Sequence, residues 1–264
     1  MRIFTLGTSH GVSESDRFCT STVLETGGAY YVFDVGAPVD RLFAQNAWRM
    51  TDIRGIFLTH MHTDHVGALP FLIEDLAGGS LTRYIKRREG VEELSPVTVL
   101  FPETAGRESF LQWMKALHSG VDLSDPLQPF SLKSLQLQSL EDCKAYADER
   151  VEVCALRTDH VAAGSYAYAL SAEGRRVLIT GDLSHDFHDF PAIAQTERFD
   201  LVVCEFTHFK PETALPILQT CKIDRLVFSH ICDPRGERAE WLKANRDAFP
   251  YPVSLAYDGD VFEI

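Results

Sequence analysis

Long apolar runs are missing from this sequence: no stretch approaches the roughly 18 residues that a membrane span needs. The opening "MRIFTLGTSHG" lacks the charged start, apolar core and small-residue cleavage site of a signal peptide, and reads as a first strand. The cysteines Cys19, Cys143, Cys154, Cys204, Cys221 and Cys232 are scattered without CxxC spacing. Disulfide frameworks belong to short secreted chains, so reduced thiols and a cytoplasmic location are expected. Cys154 and Cys204 lie inside apolar, strand-like runs, where free cysteines act as buried filler. Positive charge is also scarce. With 25 Lys and Arg against 38 Asp and Glu, the formal net charge is −13. Such a surface repels a polyanion at long range and disfavours extensive contact with RNA. It leaves a small anionic substrate open, because bound dications can dominate a local field.

The 264 residues, 45% of them hydrophobic, can bury a large core. Short β-rich runs recur at 2–6, 22–26, 30–34, 54–59, 97–101, 151–157, 165–170, 175–180, 200–206 and 225–230, bounded by Gly, Pro, Asp or Ser. Helical patterns fall at 38–48, 104–118 and 236–249; in the second, Phe110, Leu111, Met114 and Leu117 form a core-facing stripe at 3–4 spacing. Strand pairs followed by strand–helix alternation, once in each half, suggest two packed sheets with helices outside. The expectation is an α/β, four-layer αββα sandwich in one domain over 1–264. The segment 77–95 stands apart, with Arg83, Lys86, Arg87 and Arg88 in an otherwise acidic chain. It reads as a solvated surface insertion such as a hairpin, or as an arm for an anionic substrate or partner subunit; a homodimer is compatible.

The densest chemistry lies in "LTHMHTDHVGAL" (58–69). His60 and His62 flank one residue after an apolar strand, and Asp64 and His65 follow within one turn. Alternate residues of an extended loop project to the same side, so His60 and His62 can reach one ion. Imidazole and carboxylate suit zinc and related divalent metals.

The motif His60-Met61-His62-Thr63-Asp64-His65, followed by Gly67, resembles the signature of the metallo-β-lactamase superfamily. The remaining pattern is matched by Asp34 in "VFDVG", His160 in "RTDHVAAG", Asp182 in "ITGDLSH" and His230 in "FSHICDP". The resemblance implies His60, His62 and His160 on one metal, Asp64, His65 and His230 on a second, and Asp182 shared, with Asp34 supporting the ligand loop. Two such cations, about 3.5–4 Å apart, would hold a hydroxide between them and clamp attacking and leaving oxygens. Asp64 could orient that hydroxide or act as its base. Zinc suits the donor set, with manganese or iron also tolerated.

Three stretches bear on the branch. "LGTSHGV" (6–12) resembles the GTS-type start of ribonuclease Z-like proteins and related phosphodiesterases, and "DHVAAGSYAYAL" (159–170) resembles their third-histidine region. The GHTPG-like motif of the lactamase, glyoxalase II and lactonase branches is absent there. "CEFTHF" (204–209) is similar to the "EAT" stretch of ribonuclease Z, which implies catalytic roles for Glu205 and His208, the latter protonating the leaving oxygen. No added cysteine set presses a match to the cyclic-phosphate phosphodiesterases of phosphonate metabolism. The resemblance therefore implies a dinuclear metal-dependent phosphodiesterase acting on a small phosphodiester or nucleotide-like substrate. A lactonase, thioesterase or amidohydrolase, or a tRNA 3′-processing endonuclease, are its alternatives. Among the other histidines, His10 should border the site, His185 and His188 read as a polar loop and helix start, and His118 as a helix end. Arg235 is a candidate phosphate contact.

Overall fold

A computed structural model describes residues 1–12, 14–77, 79–117, 130–135 and 143–264. His118 lies outside them. The N-terminal half lays down β1 (Arg2–Gly7), β2 (Ser21–Thr26), β3 (Ala29–Phe33), β4 (Ile53–Phe57), β5 (Val97–Phe101) and β6 (Phe130–Ser134) side by side in chain order. The first three form an antiparallel meander and the rest run parallel. The second sheet is β7 (Lys144–Ala147), β8 (Val151–Thr158), β9 (Ser165–Ala172), β10 (Arg175–Ile179), β11 (Leu201–Phe206), β12 (Leu226–Ile231) and β13 (Val253–Leu255), again in sequential order. The chain then returns to the first sheet, where β14 (Asp260–Glu263) pairs antiparallel with β1.

Period-two alternation makes the layers. Along β3, Tyr31 and Phe33 enter the cluster between the sheets while Val32 faces the opposite side. Phe57, Tyr168, Val177, Val203 and Val227 fill that inner layer. The outer face of the first sheet is covered by α1 (Val39–Gln45), the short α2 (Thr63–Val66), α3 (Leu69–Leu76), α4 (Gly79–Glu89) and α5 (Thr104–Leu117). The second sheet is covered by α6 (Ile193–Thr196), α7 (Pro211–Leu218) and α8 (Glu237–Asn245), through Ala194, Leu218 and Leu242. The four-layer αββα sandwich is the observed architecture.

Three local expectations are corrected. The hairpin expected within 77–95 is a helix: Ile85 of α4 enters the core, and Glu89 accepts hydrogen bonds from the backbone of Met50 and Thr51 at 3.2 and 3.0 Å. On α5, Phe110 and Met114 are buried, but Leu111 is only partly so and Leu117, the last residue of the helix, is half exposed. The cysteines are not all free. Cys143 and Cys154 are paired across the β7–β8 edge, where antiparallel pairing brings their Cα atoms to 4.7 Å; Cys19, Cys204, Cys221 and Cys232 are free.

Tyr168 joins the sheets to the ligand loop. Its ring lies fully buried beside Phe33 and Phe57, and its hydroxyl donates to the carbonyl of Leu58 at 2.8 Å, two residues before His60. Tyr168→Phe leaves that buried carbonyl without its donor and should destabilise the fold by about 1–3 kcal/mol. Urea unfolding of the two proteins measures the difference.

Candidate metal centre

The ligand-type residues gather where strands of both sheets end. Asp34 follows β3, His60 and His62 follow β4, His160 follows β8, Asp182 follows β10 and His230 lies in β12. All seven residues expected as ligands come together. Atoms of His60, His62, His160 and Asp182 lie within 4.8 Å of one another, as do those of Asp64, His65 and His230. Asp182 Oδ2 is 3.6 Å from His60 Nε2, 3.4 Å from His65 Nε2 and 3.5 Å from His160 Nε2. Its Oδ1 is 3.5 Å from His230 Nε2.

The backbone is shaped for this convergence. Across β11 and β12, Glu205 is opposite Ser229 but Phe206 is opposite Ile231, so His230 is the extra residue of a bulge. It has φ +50°, a left-handed conformation that a non-glycine residue holds only when its surroundings enforce it. Thr207 supplies part of that enforcement, its hydroxyl donating to the His230 carbonyl. Asp34 is also left-handed, with φ +60°. Gly36 allows a close approach: a Cβ there would stand 2.4 Å from the Thr20 carbonyl oxygen and 2.5 Å from that of Asp64.

Asp34 and Thr59 set the imidazole tautomers. Asp34 accepts from Thr59 N, Thr59 Oγ1 and His65 Nδ1, each at 2.8 Å. The Thr59 oxygen in turn accepts from His60 Nδ1 at 3.1 Å. Both rings then present Nε2 lone pairs to the interior, as metal-ligating histidines do. Thr59 was not singled out in the sequence; only its position before the motif could have drawn attention to it.

The donor set fits divalent cations. Among the described residues, His60 Nε2, Asp182 Oδ1 and His230 Nδ1 are buried side-chain atoms without a hydrogen-bond partner. Burial, together with the positive field of His65, holds His60 well below the ordinary imidazole range. Burial opposes charge on Asp182 too, but the imidazoles of His230 and His65 outweigh it and hold the carboxyl well below the usual range. An ionised carboxylate ringed by imidazoles is a cation site in waiting.

Glu205 and His208 stand beside this cluster. Buried Glu205 accepts from Leu183 N at 2.6 Å, Thr207 N at 3.0 Å, His208 N at 2.9 Å and His208 Nδ1 at 2.9 Å. Burial alone would lower the His208 pKa; the hydrogen bond and charge of Glu205 more than offset it and raise it. Its ring lies 4.4 Å from that of His160, on the side where His62 is exposed. His10 borders the site as expected: it is buried with Nε2 3.0 Å from Glu14, and a Cβ on the adjacent Gly11 would lie 3.5 Å from the Asp64 carboxylate. Arg235 is exposed, 3.7 Å from Glu237. His185 meets the backbone carbonyl of His208 at 2.8 Å, and His188 lies in a turn between Asp186 and Asp159.

A family model described as Anti-Pycsar protein Apyc1 matches residues 1–215. The ribonuclease Z of Pseudomonas putida (strain GB-1) is 29% identical over 162 residues, 61% of this chain, which spans under half of that relative (44%). Among solved structures, the metallo-β-lactamase fold protein YhfI from Bacillus subtilis superposes with a TM-score of 0.75 at 17% identity, covering 100% of this chain and 99% of that one. Human tRNase Z, short form, does so with a TM-score of 0.72 at 21% identity, covering 100% and 99%. The sandwich is thus a metallo-β-lactamase fold.

The exposed His188 is pushed up to about 9, first by its hydrogen bond to Asp186 and then by that to Asp159. A raised imidazole pKa stabilises the fold fully below about 6.5, the unfolded value, and loses that contribution as pH rises toward 9. Proton NMR of the histidine ring, assigned with His188→Gln, should place its midpoint above 8. A midpoint at 6.5 would show that the bridge does not form in solution.

Proposed function

The chain belongs to the family described as Anti-Pycsar protein Apyc1, and on that footing we propose that it is a dinuclear metal-dependent phosphodiesterase. The observation that carries the reading is the convergence of five imidazoles and two carboxylates on one buried point, with ligand-type atoms left unpartnered there. His60, His62, His160 and Asp182 would hold one ion; Asp64, His65, His230 and the shared Asp182 would hold the other. Two divalent cations, zinc by preference of the donors, would supply charge neutralisation for phosphate oxygens and acidify a water molecule near neutral pH.

The chain's own residues do the rest. Asp34 and Thr59 keep His60 and His65 in the ligating tautomer. Asp64, with Oδ2 3.2 Å from His230 Nε2, can orient the attacking water. Glu205 is saturated by donors and therefore acts through His208, holding Nδ1 so that Nε2 is the proton-bearing end left for the substrate. A protonated imidazole at the open side can donate to the departing alkoxide, an effect worth about 10²–10⁴ in rate. The net charge of −13 supports a small phosphodiester or nucleotide-like substrate over a long polyanion. A second reading, tRNA 3′ processing, is favoured by the match to ribonuclease Z and by exposed Arg83 and Arg87 on α4.

Metal-loaded protein should hydrolyse bis(p-nitrophenyl) phosphate, and Asp64→Ala or His65→Ala should abolish turnover. His208→Ala should slow it by about 10²–10⁴ while binding as much metal as wild type; lost metal would reassign His208 as a ligand. Turnover of thioesters or lactones with no phosphodiester cleavage would overturn the reading. Cleavage of precursor tRNA in preference to small diesters would select the second.

A further inference from the structure

Two loops from different strands must be held together for His160 and Asp182 to meet. The first leaves β8 and carries Asp159 and His160; the second leaves β10 and carries Asp182 to Asp189. We propose that Asp189 is a positioning residue that fixes the distance between them and so sets the affinity of the ion held by His60, His62, His160 and Asp182. This inference rests on the metal-centre reading above.

The geometry is specific. Asp189 Oδ2 accepts from the backbone N–H of Asp159 at 2.7 Å, immediately before His160. The same carboxylate accepts from Ser184 N at 3.0 Å and from Ser184 Oγ at 2.7 Å, two residues after Asp182. One rigid, planar group therefore ties both ligand-bearing loops. His188 adds a longer bridge, from Asp186 at 2.5 Å to the Asp159 side chain at 2.9 Å, but it is exposed and screened. The remaining link, from Thr158 Oγ1 to the Asp182 carbonyl, is 3.3 Å long and shares its donor with Ser165. No part of Asp189 appears among the ligand-type clusters of the described residues. The other ion shares Asp182 but draws its remaining ligands from Asp64, His65 and His230, which Asp189 does not touch.

This asymmetry makes the inference testable with Co2+ alone. Wild-type protein should bind two equivalents, followed by chelator competition and by the visible ligand-field bands. Asp189→Ala should weaken one equivalent about 10–100-fold, the range for lost support of a ligand, and alter its bands, with a smaller effect on the other equivalent, which depends on this loop only through the shared Asp182. Asp189→Asn should weaken it less, because one amide oxygen can still accept both backbone N–H groups that Oδ2 accepts. If Asp189→Ala does not fold, Ser184→Ala, which removes only the hydroxyl link, should weaken the same equivalent by a smaller factor. Two equivalents bound with wild-type affinity and spectra in folded Asp189→Ala, or in Ser184→Ala where that variant does not fold, would overturn the proposal. Wild-type protein that binds no Co2+ would overturn the metal-centre reading itself, and this inference with it; the two failures are told apart by the wild-type titration.

Discussion

One buried carboxylate, Asp182, faces imidazole nitrogens of His60, His65, His160 and His230 at 3.4–3.6 Å. A single negative charge cannot satisfy four imidazoles, and the imidazoles cannot all be protonated without repelling one another. The fold answers this by fixing the far side of two of these rings and of the adjacent His208. Asp34 and Thr59 take the Nδ1 protons of His65 and His60, and Glu205 takes that of His208. What is left is a set of lone pairs directed at one point, a polar interior that only cations complete. The strained backbone at Asp34 and His230 follows from the same demand.

Much of this was legible in the sequence because the chemistry is local. His60, His62, Asp64 and His65 lie within six positions, so their convergence needs only a strand end and one helical turn. The distant partners were legible by resemblance, and each lies at or just beyond the end of an apolar strand. Strand pairs followed by strand–helix alternation, once in each half, announced the two sheets. Other features depend on register, which no short pattern encodes. The bulge that presents His230 exists only because β11 and β12 slip by one residue after Glu205. Thr59 matters because β3 lies beside β4, and β7 and β13 are too short to stand out from the loops around them. Segment 77–95 misled through its charge. Its helix is held by Ile85 and Glu89, two residues of modest signal among four basic ones.

The electrostatic design separates inside from outside. The chain is strongly acidic as a whole, yet the imidazole-lined centre is poised to accept positive ions, whose field would prevail nearby. Anions are thus turned away from most of the surface and tolerated at one place. The opening lies beside His62, His160 and His208, where the least buried members of the cluster stand.

The return of the chain to its starting sheet has a kinetic side. β14 pairs with β1 from Arg2 against Glu263 to Thr5 against Asp260, joining the two ends of the sequence. Before that, Gly259 N meets the Thr5 carbonyl, and Asp258 receives Thr8 Oγ1 at 2.6 Å beside the loop that flanks Asp64. Contacts of such sequence separation form late, since loop-closure entropy must be overcome before they contribute. A ribosome-bound chain would carry the local histidine motif long before the last strand could brace the loop beside it. Under the metal-centre reading, an ion at the histidine motif would be held loosely until β14 has paired with β1.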